Sequence, residues 1–146
     1  MMGYEEILQI ASVVRLTLER VEVINPVYER NLWVNFPVGS CKASAHLLMY
    51  YLDITLNIPQ DEMLLYANAE FNSGLHAWAC VSGFHVDITA DQFGGAPVIV
   101  SPESPWPNCT NGPDEYAYSG LVVAPDFIEE YYLICEVIER NREAYL

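Results

Sequence analysis

The sequence predicts an α+β fold, and three observations predict it. Apolar residues at helical spacing open the chain, and a second helical pattern begins at Cys41. Between Met63 and Ser101 the pattern changes to short apolar runs separated by turn residues, with a final helical pattern after Pro125.

Taking the elements in order, Ile7, Leu8, Ile10, Ala11, Val14, Leu18 and Val21 form one stripe of a helix from about Tyr4 to Val21, with Glu5, Glu6, Arg15 and Glu19 largely opposite. Asn25-Pro26 breaks the pattern, and the stretch from Asn31 to Gly39 reads as an ordered loop. Ser40 is placed to N-cap a helix from Cys41 to about Asp53, whose apolar face includes Ala45, Leu48, Met49 and Leu52. Asn57-Ile58-Pro59 ends it. Met63 to Phe71 reads as a strand, although Leu64-Leu65-Tyr66-Ala67 also suits a helix. Leu75–Val81 and Phe84–Thr89 are joined by Ser82-Gly83, the signature of a tight hairpin. Ala96–Ser101 is a further strand. A Pro-rich loop from Pro102 to Tyr116, fit for a lid or a partner-docking arm, leads to a last strand around Ser119–Val123. Pro125-Asp126 opens a C-terminal helix, with Glu129 placed for a capping box and Ile134, Cys135 and Ile138 on its buried side.

Composition narrows the function classes. With 146 residues, no repeat and no linker, the chain is expected to be one domain, and 52% hydrophobic against 18% charged residues is a folded composition. A net charge of -14 repels phosphate backbones, so nucleic acid is not expected as a partner. The acidic surface could steer a cationic peptide or a basic protein, or serve only solubility. Glu5 and Glu6 stand where a secretory signal would be basic, and no apolar run is long enough for a bilayer. A cytoplasmic protein with no membrane partner is therefore expected, specialised export being compatible with the same sequence. Cys41, Cys80, Cys109 and Cys135 lack C-x-x-C spacing, and the three histidines lack an i, i+4 pair. The expectation is reduced thiols, no metal and no cofactor.

The chemistry-bearing series is Cys41, His76 in His76-Ala77-Trp78, and Asp87 in Val86-Asp87-Ile88-Thr89. A thiol attacks a carbonyl as thiolate, so it needs an imidazole to take its proton and a carboxylate to fix the imidazole tautomer. A cysteine in the first turn of a helix also gains from the helix dipole and the free N–H groups. A two-residue loop at Ser82-Gly83 sets Trp78 opposite Asp87 and leaves His76 and Asp87 as diagonal neighbours on one face. A bulge or an odd loop would separate them. Singly, each residue has a plainer use: a buried small side chain for the cysteine, a backbone-satisfied strand histidine, a turn or capping acid. It is their coincidence in order, spacing and face that points to catalysis. His85 is a competing base on the same face, Asp91 a reserve acid, and His46, more than a turn past Cys41, faces the sheet or solvent.

Gly39-Ser40-Cys41 at a helix start, His76-Ala77-Trp78 and Asp87-Ile88-Thr89 resemble the core of the transglutaminase-like, papain-like superfamily, over roughly Asn35 to Gln92. The resemblance implies a cysteine-bearing helix packed on an antiparallel sheet whose strands carry the histidine and the acid, flanked here by N- and C-terminal helices. It implies Cys41 as nucleophile, His76 as base and Asp87 as orienting acid. Papain-type members also carry an amide side chain six residues before the nucleophile. Asn35 stands there, where glutamine is usual, as an oxyanion donor or simply a turn residue before Pro37. Trp33 offers a competing indole donor, while Trp78 and Gln92 are assigned to the cleft. Ile88 stands where a transglutaminase often has proline, and the chain has no room for extra substrate domains, so cross-linking is not expected.

The expected activity is thiol-dependent acyl transfer at a peptide or amide carbonyl, by a cysteine protease, an amidase or a glutamine deamidase. The alternative is a non-catalytic acidic binding protein, of inhibitor or immunity type, that retains the fold.

Overall fold

The computed structural model describes residues 1–20, 36–72, 74–120 and 125–145. Among these, three helices accompany five strands: α1 (Tyr4–Leu18), α2 (Cys41–Ile54), β1 (Met63–Phe71), β2 (Gly74–Val81), β3 (Phe84–Asp87), β4 (Ile99–Ser101), β5 (Asp114–Ala117) and α3 (Pro125–Tyr145). The strands form one sheet in the order β4-β3-β2-β1-β5, and every neighbouring pair is antiparallel. α2 packs on β2 and β1, and α1 and α3 pack together.

One face of the sheet is apolar because β1 alternates Met63, Leu65 and Ala67 with less buried residues, while β2 and β3 supply Ala77, Ala79, Val81 and Val86. The small alanines let α2 approach, and Ala45, Leu48, Met49 and Leu52 are buried as their spacing predicts, joined by Leu47 and Tyr51. Each large aliphatic side chain buried this way stabilises the fold by about 1.5–3 kcal/mol. Asn141 Nδ2 donates to Thr17 Oγ1 at 2.8 Å between α3 and α1. Ile134, Cys135 and Ile138 are buried, as expected.

The hairpin has the two-residue turn read from Ser82-Gly83. Their φ values of 50° and 85° are those of a twist-compatible turn, and Val81↔Phe84, Cys80↔His85 and Ala79↔Val86 pair across it. Continuing that register sets Trp78 across from Asp87. A bulge does occur, but in β1: pairing with β2 shifts between Tyr66 and Ala69, where Asn68 has φ 62°. Past the bulge Ala69 pairs with His76 and Phe71 with Gly74. The extra residue thus turns Phe71 from the α2 side of the sheet to the His76 side.

Several expectations are corrected. The last strand is Asp114–Ala117, inside the region read as a loop, and Ser119 and Gly120 are not strand; residues 121–123 lie outside the described residues. All four β5 residues are exposed, so it has no buried face to give a pattern; its backbone pairs with Leu64–Ala67 of β1. β4 begins only at Ile99, past Pro97, and β3 stops at Asp87. Ser40 precedes α2 but does not cap it: its hydroxyl donates to the Pro37 carbonyl at 2.9 Å. Arg15 is 7% exposed rather than solvated. It grips both Asp91 carboxylate oxygens at 2.7 and 2.8 Å, donates to the Ile88 carbonyl at 3.0 Å, and lies over the Phe36 ring.

Candidate active site

Three elements bring the predicted residues together. Cys41 is the first residue of α2, His76 stands on β2 and Asp87 ends β3. His76 Nε2 lies 2.6 Å from Asp87 Oδ2, the diagonal contact that the hairpin register requires, with both side chains at most 1% exposed. Asp87 Oδ1 accepts the Thr89 backbone N–H at 3.0 Å and faces its hydroxyl at 3.5 Å. The strand ends here because Asp87 captures the amide that would otherwise continue the ladder.

Burial alone would lower the His76 pKa, but the Asp87 hydrogen bond, the Cys41 thiol beside the ring and the charges of both push it up to about 9. Burial likewise acts to raise the Cys41 pKa. The imidazole overcomes this, together with the Ala77 and Lys42 backbone N–H groups, and the thiol falls below its ordinary value. His76 Nε2 is committed to Asp87 while Nδ1, buried, makes no hydrogen bond within normal geometry. Nδ1 is therefore the ring nitrogen that Asp87 does not engage. The other buried thiols behave oppositely: burial raises Cys80 and pushes Cys135 up to about 12.

No family model, curated protein or solved structure matched the chain. Aromatic rings enclose His76: Phe93 at 4.7 Å between centroids, Trp106 at 5.6 Å, Trp78 at 5.8 Å and Phe71 at 6.2 Å. Trp106 also donates its indole N–H to Asp87 Oδ2 at 2.7 Å. It comes from the Pro-rich loop, which is strapped along β1: the Thr110 N–H donates to the Glu70 carbonyl and the Glu70 N–H to the Asn111 carbonyl, both at 2.8 Å. Gly112 then passes against the bulge with φ 79°, and a Cβ there would stand 2.7 Å from the Asn68 carbonyl oxygen. Only glycine fits both constraints.

The remaining candidates divide. Trp78 is 1% exposed and its indole donates to His85 Nδ1 at 3.0 Å, so it supports the His76 ring but has no free N–H for an oxyanion. Gln92 donates its side-chain amide to the Pro37 carbonyl, tying the turn after β3 to the segment before Cys41 instead of offering that amide to a ligand. Asp91, the reserve acid, is taken by Arg15. His85 is occupied by Trp78 and meets the Tyr66 ring at a tilt, and burial lowers its pKa. His46 is half-buried, its Nδ1 is without a hydrogen-bond partner, and burial followed by the Lys42 charge lowers its pKa. Asn35 and Trp33 lie outside the described residues.

Among the described residues no group of three His, Cys, Asp or Glu converges as a metal site would need, and no helix is long and apolar enough to cross a membrane. The residues that sequence reasoning missed are Trp106, Thr89 and Arg15. Thr89 lies within the motif and carries a recognisable side-chain and backbone turn pattern with Asp87. Trp106 sits nineteen positions from Asp87 in a loop of no periodicity, and nothing local marks its partner.

Proposed function

We propose that the chain is a thiol-dependent acyl-transfer enzyme of papain-like, transglutaminase-like kind, acting on a peptide bond or a carboxamide side chain and passing the acyl group to water. The observation that carries this reading is the His76 ring, which gives one nitrogen to Asp87 at 2.6 Å and keeps the other for a thiol whose pKa it lowers.

In the resting site the proton of Cys41 rests on His76, held there by Asp87. The thiolate attacks the carbonyl carbon, and the oxyanion accepts from the Cys41 backbone N–H at the start of α2. His76 returns its proton to the departing nitrogen, and the C–N bond breaks to leave a thioester. Water, deprotonated by His76, then attacks the thioester; the acid product leaves and the thiol is restored. The burial of His76 and Asp87 behind buried Trp78 and half-buried Phe71, Phe93 and Trp106 strengthens each charge interaction. The excess of negative charge favours a cationic peptide or protein as substrate.

The test is iodoacetamide labelling of each cysteine across pH, located by mass spectrometry, in the parent and in His76→Ala. Fast labelling of Cys41 well below pH 8, lost in the variant, is expected; Cys41 labelling at an ordinary thiol rate with no response to His76→Ala would overturn the reading and favour an acidic binding protein.

A further inference from the structure

We propose that Trp106 is a positioning residue of this site: its indole N–H, carried in by the Pro102–Pro113 strap, shares Asp87 Oδ2 with His76 and thereby sets how tightly His76 holds its proton. The inference rests on the acyl-transfer reading for its meaning but on separate geometry for its support.

That geometry is specific. Asp87 Oδ2 accepts two short hydrogen bonds, from His76 Nε2 at 2.6 Å and from Trp106 Nε1 at 2.7 Å, while Thr89 occupies Oδ1. With Asp87 1% exposed, protein donors take the place that water would hold around the carboxylate. Trp106 is held at this spot by more than its own bond. Its ring meets Phe71 and His76 edge-on, at 5.3 and 5.6 Å with interplanar angles of 84° and 88°, and its backbone N–H bonds to Ser104 Oγ at 3.2 Å. The β1 bulge that turns Phe71 towards His76 is the same one against which Gly112 seats the strap. The strap is thus docked by the bulge and by the ring contacts of Trp106.

The electrostatic consequence has a definite sign. The titratable groups that face His76 among the described residues are Asp87 from β3 and Cys41 from α2; Phe71 from β1, Phe93 from the turn after β3, Trp78 from β2 itself and Trp106 from the strap carry no charge. A neutral donor on Oδ2 withdraws part of the negative potential that His76 feels. It keeps the imidazolium from being held so firmly that it cannot give its proton to a leaving nitrogen. Removing the N–H while keeping a ring therefore raises the proton affinity of His76.

The experiment is an NMR titration of the isotope-labelled His76 imidazole in Cys41→Ser and in Cys41→Ser with Trp106→Phe. The serine background leaves Asp87 as the one titratable partner and does not depend on a working nucleophile. The expected result is an upward shift of the His76 titration by about half a pH unit or more. An unchanged titration, or a downward one, in a cooperatively folded variant would overturn the proposal. Should Trp106→Phe not fold, the parent answers by itself. The Trp106 indole proton is expected far downfield and slow to exchange, moving upfield in Asp87→Asn; a rapidly exchanging indole proton at an ordinary shift would overturn it. Failure of the acyl-transfer reading is seen elsewhere, as Cys41 alkylation indifferent to His76→Ala, so the two failures are told apart by different measurements.

Discussion

His76 and His85 stand on the same face of one hairpin, both paired to a side chain in place of water, yet they are driven to opposite protonation states. His76 accepts burial because Asp87 supplies a charge, and its pKa rises to about 9. His85 meets an indole that donates to its Nδ1 and rings that carry no charge; burial is unopposed and its pKa falls. The same contrast separates Cys41, lowered beside an imidazole, from Cys135, pushed up to about 12 among apolar side chains. Burial amplifies whatever partner is present; the partner decides the sign.

The largest expected effect comes from removing that partner. Asp87→Asn leaves His76 as buried as before but without its carboxylate, so it should titrate downward like His85 and, on the proposed mechanism, no longer take the Cys41 proton. Alkylation of Cys41 at pH 6 is expected to fall by about 100-fold or more. A variant that alkylates as fast as the parent would break the comparison at its centre.

Stability against pH sharpens it further. In Cys41→Ser, Asp87 still raises the His76 pKa, which contributes stability that is fully present below about pH 6.5 and is lost as pH rises through the folded value. His85, whose pKa is lowered, contributes in the other sense: its share is present above about pH 6.5 and disappears as pH falls through its folded value. Urea unfolding of Cys41→Ser with His76→Phe should reduce the pH dependence just above pH 6.5, and with His85→Phe that just below it. Any other assignment would contradict the two environments.

How much of this can be read beforehand follows from where the information lies. The His76 and Asp87 contact is legible because a two-residue turn and a period of two settle which side chains share a face. The start of α2 is legible from Ser40 and the apolar spacing, though the serine hydroxyl chooses the Pro37 carbonyl over the helix. What stays hidden depends on contacts between distant segments. Arg15 reads as solvated because a helical stripe carries no knowledge of Asp91, 76 positions on. β5 gives no pattern because an exposed edge strand is specified by its neighbour's backbone and not by its own hydrophobicity. Trp106 belongs to the same class.

Asp87 and Asp91 extend the comparison to the acids. Four residues apart, one faces an imidazole and the other a guanidinium, and Arg15 keeps Asp91 below its ordinary pKa chiefly through their hydrogen bonds. Arg15→Met should therefore lower stability by about 2–3 kcal/mol, since it strips the Ile88 carbonyl and Asp91 of their partner. Thermal or urea unfolding measures this. A parallel large loss of Cys41 alkylation in still-folded protein would mean that Asp91, once released, competes for the site.

The smallest effect on chemistry is expected at His85 itself. His85→Phe can keep a ring against Tyr66, now 5.0 Å from the His85 ring, but it leaves the Trp78 indole N–H without its acceptor. Leaving a buried donor unsatisfied costs about 1–3 kcal/mol, so stability should drop by that order. Cys41 alkylation should nevertheless stay within about twofold of the parent, because His85 makes no hydrogen bond to Asp87 and its charge is already suppressed by burial. Stability and thiol reactivity would then part company at one histidine and move together at the other. A large change in alkylation at His85→Phe would show that Trp78, with its ring 5.8 Å from that of His76, passes the disturbance along β2, and the two histidines would have to be treated as one coupled unit.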